Sequence, residues 1–134
     1  MTEPRRALYA HLAADNEVKA IVGDRIYQGR VPAGATKPLI LIQPPISRIP
    51  RRDLGGVAYK QTRLQVTVMA DTQKQAEAAA KAVIDAVEGF SGNMGTEKMF
   101  VKVILATVDN DRQIAQDEIN EIYHHIDVMM LYEG

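Results

Sequence analysis

The chain has 134 residues, of which 46% are hydrophobic and 25% charged, and it contains no cysteine. That length suits one domain, 1–134, with a core of its own, and the missing thiols exclude disulfides, thiol nucleophiles and zinc sites of the cysteine type, as fits a reducing compartment. A formal net charge of -1, no Trp and only 2 Phe offer neither the electrostatic attraction nor the stacking platforms of a nucleic-acid binder.

The elements follow in order along the chain. Met1 to Arg6 carries two arginines, but His11, Asp15 and Asn16 arrive before an apolar run can form, so no export signal is expected. Glu3 to Ala14 reads as a helix, with Leu8 and Leu12 at helical spacing. Asp15-Asn16 punctuates it, and Val18, Ile21 and Val22 make a second short helical turn that Gly23 ends. Ile26 to Gln28 is a short extended piece, Val31 to Lys37 a loop, and Leu39 to Ile42 a strand covered on both faces that should sit centrally. No apolar run reaches the roughly 20 residues of a membrane span; the longest, Pro38 to Ile46, is interrupted by Gln43 and a proline pair. Pro44, Pro45 and Pro50 stop the ladder, and the segment to Gly55-Gly56 should be an exposed loop.

From Tyr59 to Ala70 polar and apolar residues alternate, with Leu64, Val66 and Val68 on one face and Arg63, Gln65 and Thr67 on the other. Thr72 then caps an Ala-rich helix, Gln73 to Glu88, with Gln75 completing a capping box and Gly89 at C′. Met99 to Val108 and Glu121 to Tyr132 are two further strands, and Asp109 to Ile119 is the loop between them. Strands paired around one helix predict an α+β fold: a mainly antiparallel sheet of about four strands, with the Ala-rich and N-terminal helices packed on it.

Candidate chemistry is sparse. His124 and His125 are adjacent in a strand and point to opposite faces, so one metal cannot take both. His125 and Asp127 share a face, as a base and its orienting carboxylate would, but no Ser or Cys nucleophile is placed beside them; a cross-strand polar pair is the plainer reading. Asp109-Asn110-Asp111 begins like a calcium loop but lacks the glycine of the sharp turn, and Glu118 is at the wrong offset. Gly89, Gly92 and Gly95 follow a helix where a phosphate loop must precede one, and read as a flexible connection. Met99, Met129 and Met130 read as core filler and interface surface. No catalytic, cofactor-binding or metal-ligating residue is assigned.

The near-zero net charge hides two opposed segments. From Arg48 to Arg63, Arg48, Arg51, Arg52, Lys60 and Arg63 stand against Asp53; from Asp109 to Glu121, Asp109, Asp111, Asp117, Glu118 and Glu121 stand against Arg112. Arg48, Arg51, Arg52, Asp109, Asp111, Asp117 and Glu118 are therefore candidates for a head-to-tail contact between copies.

Leu8-Tyr9-Ala10-His11-Leu12, Val22-Gly23-Asp24-Arg25-Ile26-Tyr27, the Lys37-Pro38-Leu39-Ile40 entry to a strand, Arg63-Leu64-Gln65-Val66 before an Ala-rich helix, and His125-Ile126-Asp127-Val128 carry a likeness in their order and spacing. In these the chain resembles the tail-completion, or tail-terminator, family of tailed bacteriophages over nearly its whole length, and Asp109 to Ile119 resembles that family's acidic excursion before the last strand. The resemblance implies a non-catalytic structural protein, of phage or prophage origin, that forms a ring of about six copies. Such a ring sits on the head-proximal end of the tail tube, ends tube polymerisation and offers the docking surface for the head connector. It also implies no cofactor; as partners, copies of itself, the tail tube protein and the head-tail connector protein; no membrane and no specific nucleic-acid binding, DNA passing only through the lumen; and a place in the virion tail after assembly in the bacterial host cytoplasm. Two alternatives stand beside it: another head-tail connector ring subunit, such as a head-completion or minor tail protein, and a small hydrolase or metal-dependent enzyme in which His125 and Asp127 converge with His11 or another polar group in a pocket.

Overall fold

A computed structural model describes residues 3–45, 47–51, 59–116 and 121–133. Helix α1 (Pro4–Ala14) starts with its proline in the first turn, where the missing N–H costs nothing, and buries Ala7, Leu8 and Leu12 along one stripe. Asp15 ends α1 and caps α2 (Asn16–Val22), its carboxylate accepting from the backbone N–H groups of Glu17 and Val18, both at 3.0 Å. Gly23, with a φ of 61°, turns the chain out of α2 into strand β1 (Ile26–Gln28).

Helix α3 (Gln73–Val87) begins as expected, with the Thr72 hydroxyl accepting from Gln75 N at 3.2 Å. The reciprocal bond of the capping box lands one residue early, since Gln75 Oε1 accepts from Asp71 N. Small residues on one side, Ala76, Ala79, Ala80 and Ala82, let α3 lie close on the sheet, and Val83 and Val87 fill the gap between. His11 Nε2 meets the Ala86 carbonyl at 2.7 Å and its ring stands edge-on to Phe90, which ties α1 to the end of α3.

The described strands form one sheet of seven: β1, β2 (Leu39–Ile42), β3 (Ser47–Arg51), β4 (Tyr59–Ala70), β5 (Gly92–Gly95), β6 (Phe100–Gln116) and β7 (Glu121–Glu133), in the order β1-β2-β4-β7-β6-β5 with β3 also on β4. The α+β class and its antiparallel character are as expected, β1 with β2 being the one parallel pair described. About four strands is an undercount, and the missing ones have physical reasons. Strand β3 contains Pro50, which only an edge strand tolerates, and β5 is Gly-Asn-Met-Gly, with Gly92 and Gly95 at φ of 119° and 125°. The glycine run read as a flexible connection is thus a paired strand. The largest correction is β6. It does not stop at Val108: Asp109 to Gln116 continue it through a bulge and pair with β7 from Asp127 down to Glu121. These residues are polar because they pair on one side only, so they lack the apolar alternation that marks a half-buried strand. Strand β2 lies between β1 and β4, off the centre, and all four of its residues are buried.

All three helices lie on the sheet face that presents Leu64, Val66, Val68, Ile126, Val128 and Met130, each fully buried in one cluster with Ala80, Val83 and Val87, while Ile84 packs against it partly buried. Helix α1 touches both β1 and β5, the two ends of the sheet order, so the sheet curls around the helices and brings its edges toward one another. The opposite face carries no described helix.

Candidate assembly surface: the open face and bare edges of the sheet

The period of 2 in β4 and β7 aims Arg63, Gln65, Thr67, Tyr123, His125 and Asp127 at the open face, and the register sets Thr67 opposite His125 and Gln65 opposite Asp127. The result is a ladder of side-chain pairs. Thr67 Oγ1 and His125 Nδ1 are 3.0 Å apart, Gln65 Nε2 donates to Asp127 Oδ1 at 3.4 Å, and Arg112 of β6 approaches Asp127 from the other side at 3.8 Å. The Tyr123 ring lies nearly parallel to His125, with centroids 6.4 Å apart. Burial, helped by the Arg112 charge and opposed by Asp127, lowers the His125 pKa, so the imidazole favours its neutral form. Toward one end, Lys37 Nζ binds Glu121 Oε1 at 2.6 Å and the Tyr123 hydroxyl donates to the same carboxylate; Lys37, then Tyr123, hold the Glu121 pKa below its usual value.

This arrangement orders a surface of paired side chains, with Tyr123, His125 and Asp127 partly exposed on it. Thr67 stands beside His125 as a nucleophile would, but it is 2% exposed and its hydroxyl is engaged by the imidazole. His11 is on the helix side, bound to Ala86, and does not converge with His125 and Asp127. His124 points to the helix side and pairs with Asp111 at 2.8 Å, so the two adjacent histidines serve different partners, as the strand geometry predicts. Among the described residues no three His, Asp or Glu side chains gather as a metal-ligand set.

The interface candidates divide in three. Arg48 and Arg51 fall on β3, at register positions opposite Thr62 and Tyr59. Asp109 is the extra residue of the β6 bulge, and Asp111 follows it. Arg52, Asp117 and Glu118 lie outside the described residues. Strand β7 pairs with β4 along its whole length, so β3 and β2 must share the other side of β4. The β3 arginines and the β6 aspartates therefore occupy opposite sides of the β4–β7 pair. Part of the charge is satisfied within the subunit: Arg63, of the basic segment, binds Asp109 at 2.8 Å, and the Thr107 hydroxyl donates to the same carboxylate.

Two features escape a linear reading. Leu105 and Ile114 are 39% and 43% exposed on β6, and a groove of about 360 Å³ opens between α1 and the sheet edges, lined by Arg6, Tyr9, Ala10, Gln28, Thr96 and Met99. Those six residues come from three distant segments that meet only because the sheet curls.

Comparison with known proteins fits this architecture. No curated protein matches the chain by sequence. Among solved structures, a chain of the virion of a native gene transfer agent (GTA) particle superposes with a TM-score of 0.79 at 20% identity, covering 98% of this chain and 95% of that one; at such identity the likeness shows the shared fold. The model of the family "Tail completion protein gp17" matches residues 6–113, from the first turn of α1 into the polar half of β6. The chain belongs to the tail completion protein gp17 family.

Proposed function

We propose that the protein is a non-catalytic structural subunit of a phage or phage-like virion, which closes into a ring of about six copies on the head-proximal end of the tail tube. There it ends tube growth and presents the surface on which the head connector docks. The observation that carries this reading is the family match over residues 6–113. The geometry supports it: a face ordered by polar pairs with its one candidate nucleophile buried, and unlike charges on opposite sides of the sheet. Particles lacking the chain are expected to make overlong tails that join no heads. Tails of normal length that fail only to join heads would assign it to the connector instead, and normal joined particles would overturn both.

In the same ring, the basic segment of Arg48, Arg51 and Arg52 on one copy faces the acidic segment of Asp109, Asp111, Asp117 and Glu118 on the next. Unlike patches on one molecule are satisfied most simply by a head-to-tail rotation that closes. Reversing Arg51 and Arg52 to Glu should weaken ring formation while leaving the melting temperature within a few degrees, and high salt should mimic it, because exposed charges act through screened, long-range attraction. Adding Asp109→Lys and Asp111→Lys should restore assembly in part. The lost Arg63–Asp109 pair is a surface contact whose removal costs less than about 1 kcal/mol. Full assembly by the Arg51/Arg52 reversal at low salt would reject the charge pairing.

A further inference from the structure

At the level of Arg112 the sheet has two edges that no described strand covers. Reading across, Tyr27 of β1 aligns with Leu41, Thr67, His125 and Arg112, so β1 ends the sheet on one side and β6 on the other. On β6 the lower part of the edge is occupied: Ala106 N donates to Phe90 O, and Val108 N to Glu88 Oε2. The N–H of Val108 thus points away from β7. Strand β7 has no bulge, and backbone direction alternates along it, so the pairs Asp111 with Ile126 and Gln113 with His124 are of the same kind as Val108 with Val128. Asp111 and Gln113 therefore aim their N–H and C=O groups off the sheet, and no described residue receives them.

The β1 edge is the counterpart. Arg25 O and Gly29 N bond to β2, so by alternation Gln28 turns its N–H and C=O outward. Gln28 also lines the groove of Arg6, Tyr9 and Met99, which runs beside this edge. Natural sheets blunt a bare edge with proline, charges or a bulge; residues 109–116 of β6 carry the bulge at Asp109 and charges at Asp111 and Arg112 but, like β1, no proline, so the outward backbone N–H groups remain able to pair.

We propose that these two edges are made for each other: the bare half of β6 on one copy adds as a strand to β1 of the next copy, continuing the sheet from subunit to subunit. This rests on the ring reading above and names the contact that closes it. Four observations converge on a second copy as occupant. Strand directions alternate so that β6 runs opposite to β1, giving the antiparallel pairing that is stronger per residue. The edges are unlike and lie at opposite ends, so the contact is heterologous and builds rings, not two-fold dimers. The charges are complementary: β6 carries Asp111, which also meets His124 of its own subunit, and the facing side of the next copy carries Arg6 and Arg30 around β1 together with the β3 arginines of the pairing above. Asp111 and Gln113 place their side chains on the helix side of the sheet, the side on which the groove opens beside Gln28.

Because the chain has no cysteine, a cross-link reads this contact directly. The full-length Gln28→Cys/Gln113→Cys double variant should, on oxidation of assembled rings, give a covalent ladder that ends in a closed oligomer. Mixing the two single variants should give dimers only, and each single variant alone none; the Gln28→Cys/Asp111→Cys pair reads the register one step away. If Gln113→Cys dimerises alone, the β6 edges meet each other and the proposal falls. If closed rings form and neither pair cross-links, the ring stands and this edge contact is wrong. If no oligomer forms even on tail tubes, the ring reading falls with it. A second measurement is Gln113→Pro, which removes an N–H that faces away from β7. It should melt with the wild type and lose ring formation, and wild-type assembly by that variant overturns the proposal.

Discussion

Val83→Asp should leave no cooperatively folded protein near physiological temperature. Val83 is fully buried on α3, in one apolar cluster with Leu64, Val66, Val68, Ile126 and Val128. A carboxylate there has no water and no described cation, and the protein must either bury the charge or protonate the group far from its ordinary range. Either route costs about 3–5 kcal/mol, and lost packing adds to it. Against a domain margin of about 5–15 kcal/mol, most of the stability is gone. Two residues earlier, on the outer side of α3, Lys81 is exposed and pairs with Asp85 at 3.0 Å. Lys81→Asp is expected to cost about 0.5 kcal/mol or less from the lost helix pair, with a further few tenths from like charges. Thermal melts of the two variants test the packing, and a Val83→Asp protein with the Lys81→Asp melting curve would reject it.

The parts of the fold that could be read from sequence are those where one face alone is apolar. Strands β4 and β7 and helix α3 each carry a period that decides their orientation, and all three lie within two residues of their expected bounds. The same rule explains what could not be read. Residues 109–116 of β6 have one described strand neighbour, and 109–114 are exposed, so nothing forces an alternation, and their aspartates and asparagine look like a loop. Strand β5 is held by its pairing with β6 and by α1 across it, which local propensity cannot report. The surface was legible only in part. His125 with Asp127 on one face, and opposed charges in the chain, follow from spacing; Thr67 beside His125, the Arg63–Asp109 pair and the groove need the register and curl of the whole sheet.

Gly95→Ala should be the most damaging glycine-to-alanine change among the described residues. At a φ of 125° Gly95 holds a backbone conformation that residues with a Cβ rarely adopt, and an added Cβ would lie 2.2 Å from the Met99 carbonyl oxygen and 3.0 Å from Phe100 Cα. Both obstacles are backbone, fixed by the turn that joins β5 to β6: Thr96 N donates to Met99 O at 2.8 Å, and Met99 N donates to the Thr96 hydroxyl at 3.0 Å. Neither can swing aside without opening the hairpin. Strain and overlap together should cost about 3 kcal/mol, in the range of the larger single-residue effects. Gly89→Ala is the control, because Gly89 shares the positive φ, at 77°, but has nothing within 4 Å of an added Cβ. It should lose about 1 kcal/mol. The turn also carries Thr96 and Met99, which wall the groove beside β1, so the Gly95→Ala hairpin must shift that wall. Its loss of ring formation should therefore exceed that of a destabilised control such as Ile84→Ala, whose truncation lies on α3 and outside the lining of the groove. Denaturant midpoints and assembly measured on the same three variants separate the two effects. If Gly95→Ala unfolds at the Gly89→Ala midpoint, the close approach to Met99 is not what requires glycine; if it assembles no worse than Ile84→Ala, the groove wall takes no part in the contact between copies.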